Sequence, residues 1–112
     1  MVFARMPAPW RAFAAARRYL PSNVPLVKRV AATADQTICA RGDRVLIDGR
    51  LAARRLVHDP HGRTLPWWSG CTQLTGDQLL LLMPAPDSFD GRYFGVTDSA
   101  EVIGKARLLW RR

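Results

Sequence analysis

Apolar positions along the chain fall into short runs instead of long periodic faces. Val24 to Ala32 alternates as a strand, with Leu26, Lys28 and Val30 on one face and Val27 and Arg29 on the other. Gly42-Asp43 precedes a second run, Val45-Leu46-Ile47, and Asp48-Gly49 supplies the two-residue turn of a hairpin returning through Leu51-Ala52-Ala53. Gly76-Asp77 opens a third run, Gln78 to Met83, which Pro84 stops, and a last strand is read over Glu101 to Trp110, interrupted by Gly104. Helix character is confined to Trp10 to Leu20, rich in Ala and Arg, with Pro9 at the first helical position and Pro21 closing it. Between the hairpin and Gly76, residues Arg54 to Cys71 contain Asp59-Pro60, His61-Gly62, Pro66 and Ser69-Gly70 and predict a long turn-rich excursion with its tip in solvent. The pattern predicts a mainly β chain with one short N-terminal helix.

Length and composition add bounds. A chain of 112 residues has room for a single domain over 1–112, and 48% hydrophobic with 23% charged residues excludes wholesale disorder. No apolar run is long enough to span a bilayer, and Arg5, Arg11, Arg17 and Arg18 break up any export-signal core, so the chain as written is expected to be soluble. The net charge of +8 suits a polyanion, an anionic membrane surface or an acidic substrate. Because 15 of the 17 basic residues are Arg, spread from Arg5 to Arg112, the charge reads as a compositional habit and no nucleic-acid partner is expected.

Candidate chemistry is sparse. Cys39 and Cys71 are too few for a disulfide-dense scaffold and too far apart for a CxxC motif, which leaves one bridge or none. His58 and His61 with Cys71 lack a second ligand pair at fixed spacing, so neither a metal nor another cofactor is expected. Trp67-Trp68 near Arg63 could stack bases, but paired aromatics between Pro66 and Gly70 more often cover a small core or an exposed substrate groove. The informative residue is Lys28. Only Lys28 and Lys105 depart from the preference for Arg, and Arg cannot give up its proton, whereas a lysine desolvated on an apolar strand face can serve as a general base. A solvated edge lysine beside Arg29 is the competing reading.

Pro25-Leu-Val-Lys-Arg-Val30, Val45 to Gly49, Gly70-Cys71, Leu74 to Met83, Asp87-Ser-Phe-Asp-Gly-Arg-Tyr-Phe-Gly95 and Val102-Ile-Gly-Lys-Ala106 follow one another in an order that resembles the signal peptidase I family, in particular its conjugative-transfer, TraF-type branch. The resemblance covers nearly all of residues 17 to 112, and the segment around Ser88 is its most specific part. It implies a signal-peptidase-like β fold and a serine endopeptidase with a Ser/Lys dyad that processes exported precursor proteins, such as a pilin subunit, at the outer, periplasmic face of the bacterial cytoplasmic membrane. Lys28 falls at the general-base position, Ser88 matches the serine that orients that lysine, and Asp90 and Arg92 match the charged pair that braces the site. A bridge between Cys39 and Cys71 is expected on the same ground, since disulfides persist outside the cytoplasm.

The departure concerns the nucleophile. In the family it lies in an S-M-x-P or S-M-P-x-G segment well before the lysine, after a membrane-spanning helix. Here Met6-Pro7 is preceded by Arg5, and Ser22 stands too close to Lys28 to match. The chain is therefore read as the carboxy-terminal catalytic part of such a peptidase, amino-terminally shortened, without its own nucleophile, and tied to the membrane only through an upstream helix. The alternatives are a non-catalytic peptide-binding remnant and a basic nucleic-acid-binding module.

Overall fold

A computed structural model describes residues 2–19, 26–85 and 88–105, with residues 26, 27 and 103–105 described by their backbone alone. Among them the chain is mainly β. Strand β1 (Val2–Ala4) leads into helix α1 (Ala8–Ala16). Next come β2 (Leu26–Ala32), β3 (Thr37–Arg41), β4 (Arg44–Ile47) and β5 (Arg50–Arg54). Beyond a long loop lie β6 (Gly70–Gln73) and β7 (Gln78–Leu82), a single helical turn α2 (Gly91–Phe94), the two-residue β8 (Thr97–Asp98) and β9 (Val102–Lys105).

Two antiparallel sheets result, one ordered β8-β7-β2-β1-β9 and the other β5-β4-β3-β6. The β4–β5 turn is the one that Asp48-Gly49 predicts: both residues have positive φ, 49° and 81°. Such angles suit a two-residue turn whose twist matches that of the flanking strands. Asp48 also accepts the Thr37 N–H through Oδ1, tying the turn to β3. Alternation along β3 and β4 sends Ile38, Ala40 and Val45 inward, and Ile38 and Val45 meet Ala32, Leu80 and Leu82 from the other sheet and Leu74 from the connection between β6 and β7. A smaller cluster under α1 contains Met6, Ala14 and Phe94, with Trp10, Tyr19 and Phe89 at its rim. Cys39 and Cys71 are direct cross-strand partners on β3 and β6, and their sulfurs are bonded, with the Cα atoms 4.0 Å apart.

Three features depart from the sequence expectations. Val2-Phe3-Ala4 forms an interior strand between β2 and β9, although three residues carry too little pattern to announce one. The helix ends at Ala16, short of Leu20, because Arg18 adopts a left-handed φ of 61° and the Arg18 and Tyr19 N–H groups fold back onto the Ala15 and Ala14 carbonyls. That is a Schellman ending with arginine where glycine is usual. The excursion after β5 does expose much of its tip but also packs inward, burying Asp59 and Leu65. The cover reading of Trp67-Trp68 holds for Trp68, which packs against the main core cluster, and the two rings also flank the buried Arg55 guanidinium at 4.4 Å and 5.9 Å. Of the last predicted strand, Ala106 to Trp110 lies outside the described residues, as does Ser22.

Candidate active site

Lys28 sits in the middle of β2, which is covered on one side by β1 and on the other by β7. Its side chain is buried, only 7% exposed, and its ammonium donates to Ser88 Oγ at 2.9 Å and to the Phe89 carbonyl at 3.2 Å. Burial is the largest influence on its proton affinity and lowers it; the Asp90 charge pulls the other way, Arg92 adds to the lowering, and the pKa lies below the ordinary lysine value. A shift in that direction favours the neutral amine, the form that can accept a proton.

The loop that presents Ser88 is fixed from behind by a buried ion pair. Asp90 is completely buried and Arg92 is 3% exposed. Arg92 Nε and Nη2 each lie 3.0 Å from one oxygen of the Asp90 carboxylate, a two-point fork. The remaining lone pairs of that carboxylate take the Arg92 and Met83 N–H groups. The guanidinium in turn reaches the carbonyls of Met83, Ala85 and, across the molecule, Arg54. Two charges removed from water are tolerated because almost every donor and acceptor is matched. Asp90 also caps α2 through the Arg92 N–H.

Between Asp90 and Arg92 stands Gly91, and packing requires a glycine there. A Cβ at this position would come within 2.6 Å of Leu80 Cδ1 and 2.8 Å of the Leu81 carbonyl on β7. The missing side chain lets the loop lie against the strand, and the Gly91 carbonyl accepts from the Trp68 indole at 2.9 Å.

Residues 1–111 match the family described as signal peptidase, peptidase S26. The chain belongs to the signal peptidase S26 family. Over 81 residues it is 32% identical to the plasmid transfer protein TraF of Escherichia coli, a match covering 69% of this chain and 46% of that relative, so the chain spans about half the length of the curated relative it matches. The solved structure of a signal peptidase I from Enterococcus faecalis is similar over 75% of this chain and 84% of its own, with 20% identity and a TM-score of 0.46.

Within this S26 chain the structure brings together Lys28, Ser88, Asp90 and Arg92. It places Cys39 and Cys71 away from them, on the other sheet. Sequence reasoning missed three contributors. The Phe89 carbonyl holds Lys28, and a backbone atom carries no residue-type signal. Arg55 is 3% exposed and donates to the Gly42 carbonyl and, at 3.3 Å, to the Arg92 carbonyl, yet among fifteen arginines nothing marks it as interior. Asp59 reads as a turn former before Pro60, but its carboxylate accepts from the Tyr19 hydroxyl, from Arg63 Nε and from the His61 and Arg63 N–H groups. Desolvation alone would raise its pKa; those hydrogen bonds outweigh it and hold the carboxyl well below the usual carboxylate range.

Proposed function

We propose that this chain carries the base-bearing part of a Ser/Lys endopeptidase that cleaves exported precursor proteins, a pilin subunit being a representative substrate, at the outer face of the cytoplasmic membrane. In this reading neutral Lys28 takes the proton from a serine hydroxyl, and the alkoxide oxygen bonds to the scissile carbonyl carbon. Lys28 then returns the proton to the departing amine, and water hydrolyses the acyl-enzyme. Ser88 is the positioning residue that aims the amine, and the Asp90–Arg92 pair holds the Ser88 loop. Among the described residues Ser88 is the one hydroxyl hydrogen-bonded to Lys28. By the family resemblance, not by this geometry, the attacking serine is assigned to a segment of the S-M-P kind outside the described residues.

The observation that carries the proposal is a lysine 7% exposed, with its nitrogen 2.9 Å from a serine hydroxyl and its pKa lowered mainly by burial. Joining the chain to a family segment bearing that serine should yield cleavage of a precursor peptide, measured by mass spectrometry. Lys28→Ala and Lys28→Arg should abolish it equally, since a guanidinium cannot accept the proton. Full turnover by the Lys28→Arg protein would remove Lys28 from the role.

A further inference from the structure

Behind the Ser88 loop lies a cavity of about 340 Å³ whose walls include Tyr19, Leu56, Leu65, Phe89 and Tyr93. It adjoins a wider recess of about 510 Å³, with which it shares Tyr19 and Pro60 and which is lined by Arg17, Arg18 and Arg63. Nothing in the peptidase chemistry uses either. The charge there is unbalanced: three arginines line the recess, and the one carboxylate, Asp59 in the wall of the adjoining cavity, meets two of them, Arg63 at 2.7 Å and Arg17 at 3.8 Å. Arg18, exposed and held in the left-handed region where glycine would be easier, has no acidic partner among the described residues.

We infer that the two recesses form one binding site for an acidic peptide in which a bulky apolar side chain stands next to a carboxylate. The side chain enters the aromatic cavity and the carboxylate meets the arginines. Phe89 is a poor platform for a base, because its ring already packs nearly parallel to Phe13 and Tyr93, at 5.9 Å and 5.5 Å, and against Tyr19 and Phe94 at 5.0 Å and 5.7 Å. Polar groups in the wall favour a peptide over an acyl chain. The Tyr93 hydroxyl accepts from the Leu56 N–H and, among the described residues, donates to nothing, so it can pair with a peptide carbonyl. Phe89 also joins the site to the catalytic lysine, because the residue whose ring lines the cavity is the one whose carbonyl holds Lys28.

The inference does not depend on the peptidase reading, since binding is measured without turnover. Fluorescence anisotropy of the whole chain with fluorescein-labelled Gly-Ser-Gly-Phe-Glu-Glu-Gly should show saturable binding that weakens as salt rises. Replacing both Glu by Lys should abolish it, and replacing Phe by Gly should weaken it about tenfold. Arg18→Gly separates binding from folding, because it relieves the left-handed φ and should raise the melting temperature while weakening the peptide about threefold. Leu56→Glu, at a half-exposed wall position, should weaken it further by placing a carboxylate at the cavity mouth; should that variant fail to fold, Arg18→Gly carries the test. Equal binding of the Lys-containing peptide, unchanged affinity in a stabilised Arg18→Gly chain, or capture by phosphatidylglycerol vesicles or a single-stranded oligonucleotide but not by the peptide would each overturn the inference.

Discussion

The two sheets handle charge in opposite ways. On the outer face of the four-stranded sheet, Arg41, Arg44 and Arg54 form a cross-strand row beside a second row made by Cys71, Cys39, Leu46 and Leu51. The three arginines are exposed, and the one ion pair they make among the described residues, Arg54 to Asp43 at 3.2 Å, leaves the two side chains 61% and 53% exposed. At the loop beside the five-stranded sheet, by contrast, Lys28, Asp90 and Arg92 are all buried. Strand alternation accounts for the first arrangement, since every other residue faces water. The second needs fixed backbone groups: carbonyls of Met83, Ala85, Phe89 and Arg54 and the N–H groups of Met83 and Arg92 converge where ordinary strand pairing has ended. Among the described residues Lys28 itself stands on paired strand β2, but its ammonium is met by the Ser88–Phe89 loop, and the other buried charges, Arg55 and Asp59, likewise take loop carbonyls or N–H groups.

The contrast is broken most severely at the buried pair. Asp90→Ala or Arg92→Ala alone should cost about 3–5 kcal/mol, because each strands an unpaired buried charge. The double change to apolar residues of similar volume should cost less than the sum, which denaturant titrations of all three proteins would reveal. Opening the Cys39–Cys71 bridge by replacing both residues with Ser should cost about 3–4 kcal/mol, given the sequence separation of 32 residues. Gly91→Ala should cost about 1–3 kcal/mol through the overlap with β7. It should also loosen the Ser88 loop, seen as faster amide exchange there than in β3 and β4. At the other extreme, Asp43→Asn should change stability by less than about 1 kcal/mol, an effect that added salt removes.

Much of this was legible in the residues. The hairpin at Asp48-Gly49 was plain because its turn chemistry is specific, and Lys28 stood out because it departs from an arginine habit on an apolar strand face. Ser88, Asp90 and Arg92 were found through the resemblance of their segment to a family motif; no periodicity pointed to them. What escaped is physically different in kind. The strand at Val2–Ala4 exists because β2 and β9 receive it, a tertiary cause that three residues cannot encode. The interior roles of Arg55 and Asp59 depend on partners 37 and 40 positions away in sequence, Arg92 and Tyr19 respectively. The early end of α1 came from a left-handed arginine, which side-chain propensity does not anticipate.

Titration of Lys28 tests the central claim most directly. With two lysines in the chain, carbon-13 NMR of the lysine side chains follows two titrating groups, and Lys28→Gln identifies one of them by its disappearance. Unfolded, Lys28 has an ordinary lysine pKa, about 10.4; folded, burial lowers it. Over the interval between the two values the unfolded chain binds more protons, so the penalty for burying the ammonium is in full force below the folded pKa and fades as pH rises towards the unfolded one. The account predicts a Lys28 midpoint below that of an ordinary lysine, and a stability difference between Lys28→Gln and the parent that shifts in the parent's favour as pH increases through that interval. A midpoint at the ordinary value, with a stability difference that does not change over the same interval, would contradict it.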